Sequence, residues 1–100
     1  MATPARIATD TTLTISSDAV STSTPGETVI LDPASGKYFG LDGVGTRVWE
    51  LLQTAPTYGT VVATIVDEYD VDADTCERDV SALLVDLRHR GLVRFEGESA

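Results

Sequence analysis

The sequence predicts an α+β domain in which short antiparallel strands come first and three helices follow. Runs of β-branched and aromatic residues, bounded by turn residues, occupy the chain up to Leu41. Apolar residues then recur at helical spacing up to Leu87. The chain has 100 residues, of which 42% are hydrophobic, so it can form one domain with a single modest core. A small sheet beside a helical trio would bury the apolar sides of both.

The first half of the chain predicts two or three short strands. Leu13, Ile15 and Val20 indicate an irregular first strand in a Ser/Thr-rich setting. Residues 28–31 are a β-branched run that forms a second strand, and residues 37–41 form the next. Turn sequences that contain proline and glycine separate these runs. The strands should therefore form an antiparallel meander.

Three helices should follow the strands. The first extends from Asp42, whose side chain can cap it, to Gln53. The second follows Thr57, another capping residue, and continues for about three turns to Tyr69. The third covers about 74–90 and has the strongest helical periodicity in the chain. Its apolar side consists of Cys76, Val80, Leu83, Leu84 and Leu87.

Charged residues and a glycine mark the ends of the third helix. Asp74 followed by Glu77 fits a capping box, and Asp72 is an alternative cap. Gly91 favours a left-handed stop, and an alternating stretch at 92–95 indicates a short final strand.

Composition also suggests the domain boundaries. Residues 1–12 are small, polar and threonine-rich, and we interpret them as a flexible N-terminal lead-in. The folded domain then spans residues 13–95, and residues 96–100 form a polar tail.

The charge of the chain argues against several classes of partner. Acidic residues number 16 against 7 basic ones, for a formal charge of -9. Nucleic acids and anionic membranes both require a basic face, so we expect neither as a partner. The single cysteine cannot form an internal disulfide, and no apolar run has the length of a signal sequence or a membrane span. We therefore expect a cytoplasmic protein.

No group of residues predicts a catalytic or metal site. Cys76 and His89 lie on one helix at a separation of about 20 Å, given a rise of 1.5 Å per residue, so they cannot form a nucleophilic dyad. Asp70, Asp72 and Asp74 imitate the start of a calcium loop, but the glycine and glutamate that complete such a loop are absent. We expect no enzymatic activity and no cofactor.

Two binding functions remain. A helical trio followed by a short strand is compatible with a DNA-binding winged helix, although phosphates would repel the net negative charge of its last helix. Alternatively, the sheet edge at residues 37–41 accepts an extended peptide as an added strand beside an apolar helix. In that strand Phe39 and Leu41 lie on one face and Tyr38 on the other.

Three motifs in order resemble the PqqD-like family of leader-peptide-binding proteins. They are GKYFGLDGVGTRVWELL at 36–52, EYDVD at 68–72 and RDVSALLVDLRHRGLV at 78–93. The first contains the family's strand pattern G-x-Y-[FY]-x-L-[ND], from Gly36 to Asp42. The resemblance covers about residues 29–93 and is greatest to the stand-alone proteins that serve lasso-peptide biosynthesis.

The resemblance implies a winged-helix-like domain, with a three-stranded antiparallel sheet followed by three helices. Such recognition elements for ribosomally synthesised, modified peptides bind the precursor's leader as a strand added to the third strand and packed against the third helix. They have no chemistry of their own. Lasso-type members deliver the precursor to a separate leader-removing cysteine protease, whereas others serve radical-SAM or cyclase partners.

Carried onto this chain, the resemblance also implies the site residues. Trp49 and Leu52 should be core residues that hold the strand and helix in place. The peptide-binding residues should be Lys37, Tyr38, Phe39, Gly40, Leu41, Asp79, Val80, Leu83, Leu84, Asp86, Leu87 and Arg90. The oligomeric state stays open, because an exposed strand edge can also pair with a second copy.

Overall fold

The computed structural model describes residues 7–97, which form strands and helices in the order β1 to β4, α1 to α3 and β5. The strands are β1 (Thr12–Ile15), β2 (Val20–Thr24), β3 (Glu27–Asp32), β4 (Lys37–Asp42) and β5 (Val93–Glu96). The helices are α1 (Val44–Leu52), α2 (Tyr58–Tyr69) and α3 (Ala73–His89). The predicted α+β class is confirmed.

The strands form two separate antiparallel sheets. One is three-stranded in the order β2-β3-β4, which confirms the predicted meander. In its register Ile30 pairs with Phe39, and Val29 pairs with Gly40. The other sheet pairs β1 with β5, so that Leu13 lies opposite Phe95 near the other end of the chain.

The prediction of one irregular strand through Leu13, Ile15 and Val20 was wrong. A turn, in which the Ala19 amide donates to the Ser16 carbonyl at 3.1 Å, divides this region into β1 and β2. The first strand of the meander is therefore the Ser/Thr run of β2, and β1 belongs to the other sheet. Threonine and serine side chains suit this position because every residue of β2 is exposed.

The corner between β4 and α1 is made by glycine, not by an aspartate cap. Asp42 still pairs with Glu27 as the last residue of β4, so its backbone is extended and cannot also begin a helix. Gly43 is the N-cap, with φ of 52° and no side chain to accept a hydrogen bond. A left-handed φ is one that glycine adopts at little cost, which lets the chain turn from strand to helix within one residue.

The other helix ends lie largely where the sequence predicts them. Thr57 caps α2, as predicted, by accepting a hydrogen bond from the Thr60 amide at 3.2 Å. At α3 the cap is Asp72, whose Oδ2 accepts from the Thr75 amide at 3.1 Å. Asp74 lies inside the first turn, where its charge favours the positive end of the helix dipole. Gly91 has φ of 76° and ends α3 as predicted.

The core lies between the helices and the inner faces of the two sheets. Trp49 and Leu52 are buried, as predicted. The Trp49 indole Nε1–H donates to Ser21 Oγ at 3.2 Å, which joins α1 to β2. From β3 and β4, Ile30 and Leu41 enter the same core, so the strand-to-helix corner is fixed from both sides.

Packing begins earlier in the chain than the proposed boundary at residue 13. Ile7 is buried in the core, and the Tyr58 amide donates to the Thr11 carbonyl at 2.9 Å. Another 2.9 Å bond joins the Gly59 amide to the Thr9 carbonyl. This part of the predicted lead-in therefore packs against the start of α2. Residues 1–6, and residues 98–100 of the predicted tail, lie outside the described residues.

An exposed ion pair joins α1 to α2. The Arg47 guanidinium donates to both carboxylate oxygens of Glu68, at 2.8 and 2.7 Å, and to Glu50 at 3.2 Å. Hydrogen bonding to Arg47 lowers the pKa of Glu68. Helices long and apolar enough to cross a membrane are not found between residues 7 and 97.

Candidate peptide-binding site

The outer edge of β4 offers unpaired backbone. β4 is the last strand of its sheet, and within residues 7–97 no other strand pairs with its far side. Its side chains alternate as predicted: Phe39 is half-buried and Leu41 buried on the face toward the helices, whereas Tyr38 is 70% exposed on the opposite face. Gly40 is also exposed, so no side chain obstructs the approach of a second backbone at the middle of the strand.

The helix α3 has a buried side and a distinct flank beside it. Val80, Leu84 and Leu87 are at most 2% exposed and belong to the core. At 100° per residue, the positions 79, 83, 86 and 90 form one stripe next to that side. We call this stripe the α3 flank; its members are Asp79, Leu83, Asp86 and Arg90. Leu83 is its one apolar member and is half-buried against the core.

A cation–π contact connects the α3 flank to β4. The Arg90 guanidinium carbon lies 4.5 Å from the centre of the Phe39 ring, within the range where a cation is attracted to an aromatic face. Arg90 Nε also donates to Asp86 Oδ1 at 3.3 Å. The C-terminal end of α3 therefore lies against the beginning of β4.

A small apolar crevice lies at the other end of the flank. It has a volume of about 120 Å³. Val44, which follows β4 closely, and Asp79 of the α3 flank both line it. Its lining consists of Val44, Ile65, Val71, Thr75, Cys76, Asp79 and Val80. Because Arg90 lies over Phe39 in the first half of β4 and Asp79 lines the crevice with Val44 just beyond β4, α3 runs antiparallel to β4. We call the surface between the β4 edge and the α3 flank, crevice included, the groove.

The structure divides the predicted site residues into two groups. Three of the four apolar residues on α3, namely Val80, Leu84 and Leu87, are buried in the core, with Val80 also reaching the crevice. The β4 residues and the α3 flank are brought together around the groove. Which of them contact a peptide stays a prediction.

Val44 and Val71 were missed as lining residues of the groove. Val71 is an apolar residue between Asp70 and Asp72 in the connector from α2 to α3, and it is 37% exposed. An isolated valine among aspartates at a helix start is unusual enough to have indicated a surface contact. Val44 carried no such signal, since it also fits the apolar side of α1.

The site geometry offers no support for a nucleophilic cysteine. Cys76 is 4% exposed, and its Sγ lies 3.9 Å from the Val62 carbonyl oxygen. Burial, together with the nearby charges of Asp79 and Glu77, raises the pKa of this thiol, so the reactive thiolate is disfavoured. His89 is exposed at the far end of the same helix. Among residues 7–97 there is also no cluster of three metal-ligating side chains.

The family comparison covers the whole groove. A family model described as coenzyme PQQ synthesis protein D (PqqD) matches residues 27–93, from the start of β3 to the start of β5. The chain belongs to the PqqD family. The resemblance inferred from the three sequence motifs is thereby confirmed.

Two solved structures are similar to this PqqD-family chain. The structure of TbiB1 in complex with the TbiA(β) leader peptide is 39% identical and has a TM-score of 0.76, over 87% of this chain and 99% of that one. A lasso peptide synthetase B1 complexed with the leader peptide is 24% identical and has a TM-score of 0.72, over 82% of this chain and 96% of that one; this second likeness shows the fold alone. No curated protein sequence matches the chain significantly.

Proposed function

We propose that this PqqD-family protein binds the leader of a ribosomally synthesised precursor peptide as a strand added to β4. It then delivers the precursor to a separate leader-removing cysteine protease in lasso-peptide biosynthesis. The observation that carries this proposal is the 39% identity, over 87% of the chain, to TbiB1, whose structure holds a leader peptide. The lasso pathway is supported by the three sequence motifs.

The groove has the parts that strand addition requires. The β4 edge supplies backbone donors and acceptors to an extended chain, and the exposed Gly40 lets that chain approach closely. Leu83 and the crevice near Val44 offer apolar contact to alternate side chains of the peptide. Backbone pairing would provide affinity, and these contacts would provide selectivity.

The role we propose is binding without catalysis. The only thiol is buried and its pKa is raised, which suits a core cysteine better than a nucleophile. An adaptor must also release its cargo, so we expect a dissociation constant of roughly 10⁻⁸ to 10⁻⁶ M.

The test uses a fluorescently labelled TbiA(β) leader peptide as the probe. We expect a saturable rise in anisotropy, and slower hydrogen exchange of β4 amides when the probe is bound, because added-strand hydrogen bonds would protect them. A peptide of the same composition in scrambled order is the control. Equal binding of the two peptides, or no saturable binding of the leader, would overturn the proposed function.

The delivery step is tested separately. A lasso leader protease should cleave a leader-containing precursor faster when this protein is added, and Cys76→Ser should give the same acceleration. If the acceleration is absent while the leader still binds, the protein serves a different modifying enzyme. Loss of the acceleration in Cys76→Ser would instead point to chemistry at that thiol.

A further inference from the structure

Apart from Asp86, which is paired with Arg90, the charged side chains around the groove are separated by sign. Lys37 and Arg90 lie at the end where β4 begins, and Asp42 and Asp79 lie at the end where β4 finishes. Lys37, Asp42 and Asp79 are exposed, and within residues 7–97 none of their side chains forms a hydrogen bond or an ion pair. Because α3 runs antiparallel to β4, the two elements contribute charges of the same sign at each end.

Arg90 is held in place but keeps donors for a ligand. Its Nε–H is used by Asp86, while its guanidinium lies over Phe39. The guanidinium carries five N–H donors, so those on the two Nη atoms are left for another acceptor. Asp86 offsets part of the positive charge at this end, whereas Lys37 has no such partner within the described residues.

An added strand would meet these charges in a fixed order. Each neighbouring pair in the β2-β3-β4 sheet is antiparallel, and antiparallel pairing is the more stable way to continue it. A peptide antiparallel to β4 would place its N-terminal half beside Asp42 and Asp79. Its C-terminal half would lie beside Lys37 and Arg90.

We propose that the groove selects its peptide by charge order, with basic residues in the N-terminal half of the bound segment and acidic residues in the C-terminal half. This inference rests on the proposed function. The alternation of side chains along β4 also predicts which way the peptide's charged side chains point. Lys37 shares the inner face with Phe39, whereas Asp42 shares the outer face with Tyr38. The acidic partner of Lys37 should therefore point toward the helices, and the basic partner of Asp42 should point away from them.

Charge order acts on affinity to a limited but measurable extent. One exposed pair of opposite charges contributes about 0.2–1 kcal/mol, which is roughly 1.4- to 5-fold in affinity. Reversing the order replaces attraction by repulsion at several positions, so we expect a change on the order of tenfold or more at low salt.

The experiment selects binders from a displayed library of random peptides long enough to span β4. The test variant reverses the order of the groove charges and leaves the net charge unchanged: Lys37→Glu, Arg90→Glu, Asp42→Lys and Asp79→Lys. The control variant makes the same exchanges at exposed positions away from the groove: Arg78→Glu, Arg94→Glu, Asp10→Lys and Asp67→Lys. A milder variant, Lys37→Glu with Asp42→Lys, retains the Arg90 contacts in case the fourfold variant fails to fold.

We expect wild type and control to enrich peptides with basic residues before acidic ones, and the reversed variants to enrich the opposite order. Enriched peptides without charge order, or an order that the reversed variants do not change, would overturn this inference and leave the proposed function intact. If no peptide is enriched and the TbiA(β) leader probe does not bind either, the proposed function itself fails.

Discussion

The sheet β2-β3-β4 has two outer edges, and they differ in what lies beside them. At β2 every residue is exposed, and the Trp49 indole of α1 donates a hydrogen bond to Ser21. At β4 the α3 flank lies alongside, joined to the strand by Arg90 over Phe39. Between residues 7 and 97 an unpaired backbone is common to both edges, but the flank of a helix lies beside the edge only at β4. We infer that a strand edge becomes a specific binding site because the α3 flank lies beside it, more than because its backbone is unpaired.

Composition reinforces the difference between the two edges. After Val20, the β2 sequence VSTST presents short polar side chains, which can contact little of an incoming peptide. The β4 sequence KYFGLD combines two aromatic rings with a glycine that permits close approach. Both strands pair with β3, but of the two only β4 offers side chains suited to recognition.

Placing a charge on the α3 flank should have the largest effect on leader affinity at the β4 edge. In Leu83→Asp the one apolar member of the α3 flank becomes a carboxylate that a bound peptide would desolvate. We expect leader affinity to fall by at least about 2 kcal/mol, roughly 30-fold. The matched control is Ala82→Asp, which adds the same charge to the adjacent, exposed position of α3. Titration of the labelled leader would measure the affinity of both variants. Similar losses of affinity in the two would show that the added charge weakens binding wherever it lies, and that contact with the α3 flank is not required.

Removing an aromatic ring from β4 should have an intermediate effect. Tyr38→Ala removes a side chain that is 70% exposed in the free protein and that would lie beside the outward residues of an added strand. A loss of about 1 kcal/mol in leader affinity, near fivefold, is expected, with little change in thermal stability. Tyr69→Ala, at an exposed position of α2, and Val20→Ala, at the β2 edge, are the controls. If Val20→Ala weakens binding as much, the two edges do not differ as we infer.

Cutting the contact between β2 and α1 should affect binding least. Ser21→Ala removes the acceptor of the Trp49 indole N–H, and we expect a loss of about 1 kcal/mol in the free energy of unfolding. Leader affinity should stay at the wild-type value, because β3 and β4 both lie between β2 and the added strand. Chemical denaturation and leader titration on the same sample would separate the two quantities. A clear loss of affinity would mean that β2 takes part in binding.

The sequence predicted most elements whose signals are local. Helical periodicity located α2 and α3, and Thr57 marked the start of α2, because these patterns depend on residues a few positions apart. The pairing of β1 with β5 could not be predicted, since neither strand carries information about a partner near the other end of the chain. At the β4–α1 corner, a capping preference for Asp42 competed with the need for a left-handed residue, and the backbone geometry of Gly43 prevailed.

The candidate site was predictable in outline only. The open edge at residues 37–41 followed from the motif resemblance, but the orientation of α3 did not. Its apolar arc was wide enough for Val80, Leu83, Leu84 and Leu87 to be assigned together to the wall of the site, whereas Leu83 is the one of these four that is not fully buried. Periodicity identifies an apolar side, whereas the angle at which a helix packs on its neighbours decides which part of that side remains accessible.

The pairing of β1 with β5 also bears on how the chain folds. It joins Thr12 to Glu96, so nearly the whole chain must be organised before those hydrogen bonds can form, and the closure of so long a loop is entropically costly. The meander of β2, β3 and β4 occupies residues 20–42 and requires only short turns. Local contacts of this kind form early. We therefore expect the edge proposed to bind the peptide to exist before the two ends of the domain are joined, with the β1–β5 pair closing last.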